Sequence, residues 1–205
     1  MQRETIRVAL AHVGMALRHP EEFAVRWHRG EVVYAPSIWA SLVLTAMAGT
    51  TCYGMTMGIG QGLHAVGAKA ALLTLAAGLA WAIPLPALYI LNSLAGSRLR
   101  ASTTLLTALV TTSWGGLALL ASIPINWFFS TAIPDLPAIP NLAAKLIVML
   151  INLMVFAGVG VSMVDVFGRV IERLEPAGGR KPLWFLAIVG LIGSQLFVLF
   201  HLFQS

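Results

Sequence analysis

The chain has 205 residues, of which 58% are hydrophobic and only 10% charged, against about a quarter charged in a typical soluble domain. That deficit excludes an ordinary water-soluble domain, because charge is what keeps a folded surface in water. The formal charge of +5 comes from Lys and Arg beside apolar runs, a distribution suited to anionic lipid headgroups; no nucleic-acid-binding motif accompanies it, and no nucleic-acid partner is expected.

Residues 1–36 form an N-terminal segment ahead of the first long apolar run. The opening Met1-Gln2-Arg3-Glu4-Thr5 lacks the basic-then-apolar form of a secretory signal. Ile6, Leu10, Val13 and Leu17 recur at helical spacing among Arg3, Arg7, His12, Arg18 and His19, which predicts an amphipathic helix over residues 3–19. Pro20 ends it, because the residue before a proline is pushed out of the helical region. Glu21 and Glu22 then open a second short helix carrying Phe23 and Trp27. Two readings of this segment stand side by side: an interfacial helix on the cytoplasmic leaflet, or an apolar face packed on the bundle or on a neighbouring subunit.

Residues 37–205 contain five apolar stretches, at about 37–60, 68–94, 104–129, 142–166 and 183–203. Each meets the ~20 residues that a helix needs to cross a bilayer. Backbone polar groups cannot stay bare in lipid, and continuous apolar runs exclude a barrel of alternating strands. The expected fold is therefore all-α, a polytopic bundle of about five transmembrane helices with an N-terminal amphipathic helix. Eleven of the 13 basic residues fall in the N-terminal segment, the loop after span two and the loop after span four, leaving Lys69 and Lys145 for the other side. The positive-inside rule then puts the N-terminus in the cytoplasm and the C-terminus outside.

Within the spans, Gly54, Gly58 and Gly62 repeat every four residues and predict a helix-packing face at the end of span one. Cys52, the one cysteine, reads as a small packing residue. Pro84 and Pro86 predict a break in span two, which either bends the helix or opens backbone carbonyls to a passing ion or substrate. Asn92 and Asn152 are expected to be interhelical hydrogen-bond donors. Asp165 and Arg169, four residues apart, predict an intramembrane ion pair on span four. His64 and His201, near the outer ends of spans one and five, are the candidate cofactor-binding residues, through axial ligation of a haem or chlorin. The proline-rich loop 131–141 follows Trp127, Phe128 and Phe129, which suit an interfacial aromatic belt.

Catalytic patterns are not found. The sequence holds no His-Glu-x-x-His, no phosphate-binding glycine loop ending in Lys-Ser/Thr, no cysteine cluster and no Gly-x-Ser-x-Gly. No catalytic residue, metal or cofactor is predicted; bound lipids are.

The segment His19-Pro20-Glu21-Glu22-Phe23, the turn Leu94-Ala95-Gly96-Ser97-Arg98 and the pair Ile123-Pro124, set in a five-span layout behind an N-terminal region, resemble bacterial members of the Yip1 superfamily. The Asp-Leu-Tyr-Gly-Pro signature of the eukaryotic members is missing, with only Val33-Tyr34-Ala35-Pro36 at that point, and Trp114-Gly115-Gly116 replaces the aromatic-plus-proline pattern of span three. The resemblance implies a membrane adaptor without catalysis and, with the short loops, a bacterial cell inner membrane with the C-terminus in the periplasm. The functional expectation is a non-catalytic scaffold or accessory subunit of a larger membrane assembly, its partners being membrane lipids and other subunits or further copies of itself. The alternative is a small transporter or channel component that uses the Pro84–Pro86 break.

Overall fold

The structure, a computed structural model, describes residues 13–32, 36–94, 100–133, 140–174 and 183–202, apart from the side chains at 88, 91, 92, 94 and 183–186. The helix expected before residue 13, the Asn92 side chain, the 94–98 turn and most of the proline-rich loop lie outside the described residues. What is described is helical, with no strand among the described residues. After a helical stretch at 13–18 come α1 (Pro20–Arg29), α2 (Pro36–Met57), α3 (Leu63–Ala82), α4 (Leu85–Leu94), α5 (Ala101–Ala132), α6 (Asn141–Leu174) and α7 (Leu183–Leu199).

Four helices are long and apolar enough to cross a membrane: α2, α5, α6, and α3 with its continuation to Ala87. The fifth apolar stretch is the shorter α7, 17 residues with a rise of about 25 Å. Span boundaries move where packing extends the helix. Span four continues from Val166 to Leu174 because Phe167, Val170 and Ile171 keep an apolar face at helical spacing and are buried. Span two starts at Leu63 rather than Ala68 and splits in two. Span one ends at Met57, so Gly62 does not share the helical face of Gly54 and Gly58; it sits past a turn with φ 98° and precedes α3.

α2 is the central element, and small residues let its backbone meet both neighbours. On one side a Cβ at Gly49 would collide with the Gly116 carbonyl of α5, and one at Gly116 would lie 2.9 Å from Ala46 Cα. On the other, a Cβ at Gly54 would lie 2.7 Å from Ala70 Cα and one at Gly58 2.5 Å from Val66 Cα, both on α3. The order of these contacts gives the directions. Ser113 meets Leu42, and Asn126 meets Thr56, so α2 and α5 run parallel. The Gly54–Ala70 and Gly58–Val66 approaches make α3 antiparallel to α2. Gly115 faces Met163 while Tyr53 reaches Asn152, so α6 runs against α5 and α2. Gly193 faces Ala80 and Lys69 holds residues 201 and 202, so α7 runs against α3. Thus α2, α5 and α7 point one way and α3 and α6 the other, the alternation required of consecutive crossings.

α1 packs on the bundle. Pro20 occupies its first turn, where a missing N–H costs no helix bond, and Gly30 closes it in the left-handed conformation at φ 77°, with Glu31 N donating to Arg26 O at 2.9 Å. Its apolar face inserts Phe23, fully buried, into a cluster with Val13, Ala16, Ile38, Leu42, Leu106 and Val110. Trp27 meets Trp39 edge-on at 5.7 Å. A second cluster joins Trp81, Ala108, Phe167, Ile171 and Val189, and a third fills the far half around Tyr53, Leu73, Leu119, Val159 and Leu202.

Candidate functional site

Three polar constellations lie within this frame. The first is at the α1 end. Arg169 of α6 bridges two carboxylates, with its Nη1 2.6 Å from Glu21 Oε1 on α1 and its Nε 3.1 Å from Asp165 Oδ2 one turn earlier. Spacing alone reveals the Asp165 pair; Glu21 comes from 148 residues away in sequence and no local signal shows it. The arginine and aspartate side chains are 49% and 66% exposed, so solvent screens both contacts and the cluster orients α1 more than it stabilises it. At the other end of α1, His28 Nδ1 lies 3.4 Å from Thr103 Oγ1 at the start of α5.

The second constellation is buried in the far half of the bundle. Tyr53 of α2 donates from its hydroxyl to Asn152 Oδ1 of α6 at 2.9 Å, and Asn152 Nδ2 donates to Val148 O at 2.9 Å. One turn along, Asn126 Nδ2 of α5 donates to Thr56 Oγ1 at 2.7 Å, Thr56 donates to Tyr53 O at 2.6 Å, and Ser130 donates to Asn126 Oδ1 at 3.2 Å. Tyr53 and Asn126 are fully buried. Asn152, expected to donate between helices, instead accepts from Tyr53 across the α2–α6 contact and donates only within its own helix. Tyr53 and Asn126 were missed, although an Asn inside a long apolar stretch is the signal that such a partner exists. A hydroxyl cluster of Thr50, Thr51 and Thr74 ties α2 to α3, with Thr51 and Thr74 oxygens 2.9 Å apart. Ser113 Oγ donates to Leu42 O at 2.8 Å across the α2–α5 seam.

The third constellation is the far end of α7. His201 adopts a left-handed φ of 50° and Leu202 N donates back to Phe197 O at 3.1 Å, a helix-ending turn of the glycine type built on a histidine. Lys69, buried nearly two turns into α3, donates from Nζ to His201 O at 2.9 Å and Leu202 O at 2.7 Å. A cation at a helix C-terminus satisfies orphan carbonyls and matches the negative end of the helix dipole. The charge count assigns Lys69, within span two, to the outer side; the structure commits its ammonium to the end of α7 as a clamp. His64 and His201 side chains are both exposed near this end, and neither ring makes a described hydrogen bond. Among the described residues no three His, Cys, Asp or Glu side chains come together as a metal site would need.

The break in span two falls at residues 83 and 84, between α3 and α4. Ile83 N still donates to Leu79 O at 3.0 Å, Pro84 is buried, and Pro86 sits exposed in the first turn of α4. Chemically, the three constellations join helices: each named hydroxyl, amide and ammonium group is committed to another helix or within its own. No family model matches this chain, and no curated protein or solved structure matches it either.

Proposed function

We propose that this chain is a non-catalytic scaffold or accessory subunit of a larger membrane assembly, held in a bacterial inner membrane with α1 on the cytoplasmic face. The observation that carries the reading is the contrast between α6 and the interior. Tyr53, Asn126, Asn152, Ser113 and Lys69 are spent on helix-to-helix joints, which suits a rigid support. α6 in turn directs Leu142, Leu146, Leu150, Leu153, Met154 and Val161 outward over about five turns, an apolar wall available to lipid and to a neighbouring subunit. The Yip1-like layout belongs to the same proposal, as an adaptor that works by being present rather than by turnover. Gentle detergent extraction from native membranes, particle sizing, mass spectrometry and an absorption spectrum test it. The expected result is a particle larger than one chain with defined partner subunits. A pigment-free particle containing this chain alone would overturn the proposal, and an absorption band lost in His64→Ala or His201→Ala would replace it with a cofactor-binding role.

The helix break favours one second reading, a transporter or channel component. It predicts flux in liposomes from the purified chain alone, reduced in Pro84→Ala; the scaffold reading predicts no flux from either protein.

A further inference from the structure

We infer that the α1 end of the bundle is a recognition surface for anionic lipid headgroups, built from Arg18, Arg26, Arg100 and Arg173. This rests on the chain lying in a membrane and is independent of whether it serves as a scaffold.

The charges at this end divide into two sets. Arg169 is taken up by Glu21 and Asp165, and Arg29 lies 3.8 Å from Glu31. Glu172 is also engaged. Arg18, Arg26, Arg100 and Arg173 remain, each exposed and none within ion-pair distance of an acid among the described residues. Glu22 is the one described acid at this end left to set against them. The fold brings the four arginines to one end although they come from three separate parts of the chain. Glu21 holds the start of α1 against Arg169, which puts Arg18 and Arg173 each about one turn from that bridge. His28 holds the other end of α1 against Thr103, which puts Arg26 and Arg100 each within three residues of that contact.

The surroundings favour lipid over an acidic protein segment. Tyr89 and Ile90 on α4, just before the connection to Arg100, are exposed apolar side chains, 38% and 56% accessible. The half-buried indole rings of Trp27 and Trp39 pack together beside Arg26. Exposed apolar side chains and indoles with guanidinium groups beside them make the profile of the boundary between acyl chains and phosphates. Guanidinium binds phosphate oxygens with paired N–H donors, and it keeps its charge at any working pH. The opposite end has no such surplus among the described residues, since Lys69 is consumed internally and Lys145 stands by itself.

The test is native mass spectrometry of the full chain in detergent with equimolar phosphatidylglycerol and phosphatidylcholine. Phosphatidylglycerol should be retained preferentially. The preference should fall about fivefold for each of Arg26→Gln and Arg173→Gln, the equivalent of about 1 kcal/mol per arginine. Lys145→Gln should leave it unchanged, and unaltered melting temperatures will show that the variants are folded. Equal retention of the two lipids, or a preference that survives the Arg26→Gln/Arg173→Gln double change, would overturn the inference. So would displacement of the lipid by millimolar inorganic phosphate, which would mark a free-phosphate site. Retention of a polyglutamate peptide in place of phosphatidylglycerol would overturn it in favour of an acidic protein partner.

Discussion

Gly49 and Gly160 are both glycines of membrane-length helices, yet their surroundings differ completely. A Cβ at Gly49 meets the Gly116 backbone carbonyl, which cannot move aside, whereas nothing lies within 4 Å of one at Gly160. Gly49→Ala should therefore destabilise by about 1–3 kcal/mol, the range for overpacking a close contact. Gly160→Ala should hold or slightly raise the melting temperature, because alanine is the better helix former by about 0.5–1 kcal/mol. Melting of the two variants in the same detergent separates them, and equal shifts would remove the Gly49–Gly116 seam from the account. The Tyr53–Asn152 bond is similarly specific. A double-mutant cycle with Tyr53→Phe and Asn152→Leu should give a coupling near the ~0.6 kcal/mol average for hydrogen bonds between membrane helices. At this scale the sequence was readable where a residue and its partner share one helix, as with Asp165 and Arg169. It was unreadable where the partner is distant, as with Tyr53, Glu21 and the carbonyls held by Lys69. Spacing carries local geometry and says nothing of which helices meet.

At the scale of elements, α1 is held by two contacts of different kind. Phe23 fills the apolar cluster under α2 and α5, and the Glu21–Arg169 bridge is partly exposed. Phe23→Ala should cost about 3–5 kcal/mol or unseat the helix, whereas Glu21→Gln should cost under ~1 kcal/mol and matter less at high salt. Limited proteolysis reads the difference: cleavage near Gly30–Val32 should accelerate strongly in the first variant and little in the second. Comparable acceleration in both would mean that the ion pair, not the apolar plug, seats α1. Two readings of this segment stood open in the sequence because an amphipathic helix looks the same whether its apolar face meets lipid or protein; the burial of Val13, Ala16 and Phe23 distinguishes them. α7 depends on Lys69 in a comparable way. Lys69→Met should leave the carbonyls of His201 and Leu202 uncapped and raise hydrogen exchange in the last turn of α7 before any global melting. The Ile83–Pro84 break was legible because proline acts on its own backbone, without needing a partner.

At the scale of the whole molecule, α5 and α6, with 32 and 34 residues, rise about 48 and 51 Å. That exceeds a ~30 Å hydrocarbon core by more than half. Single cysteines in a Cys52→Ala background test the resulting topology. Arg29→Cys and Lys145→Cys should react with an impermeant maleimide from opposite faces of sealed membranes; labelling from the same face would refute the alternation of helix directions. Composition foretold the helical, membrane-length character of the chain, since apolar runs of this length have few other fates. The parallel pairing of α2 with α5 was not foretold, because it joins stretches that two other helices separate. That pairing has a bearing on biogenesis. α2 is the least apolar of the four long helices, and its tightest partner surface is Gly116 of α5. During synthesis at ~5–20 residues per second, roughly 3–13 s pass between the emergence of Gly49 and that of Gly116. For that interval the glycine seam of α2 stays open, and α2 is expected to be the long helix that depends most on an insertase or chaperone.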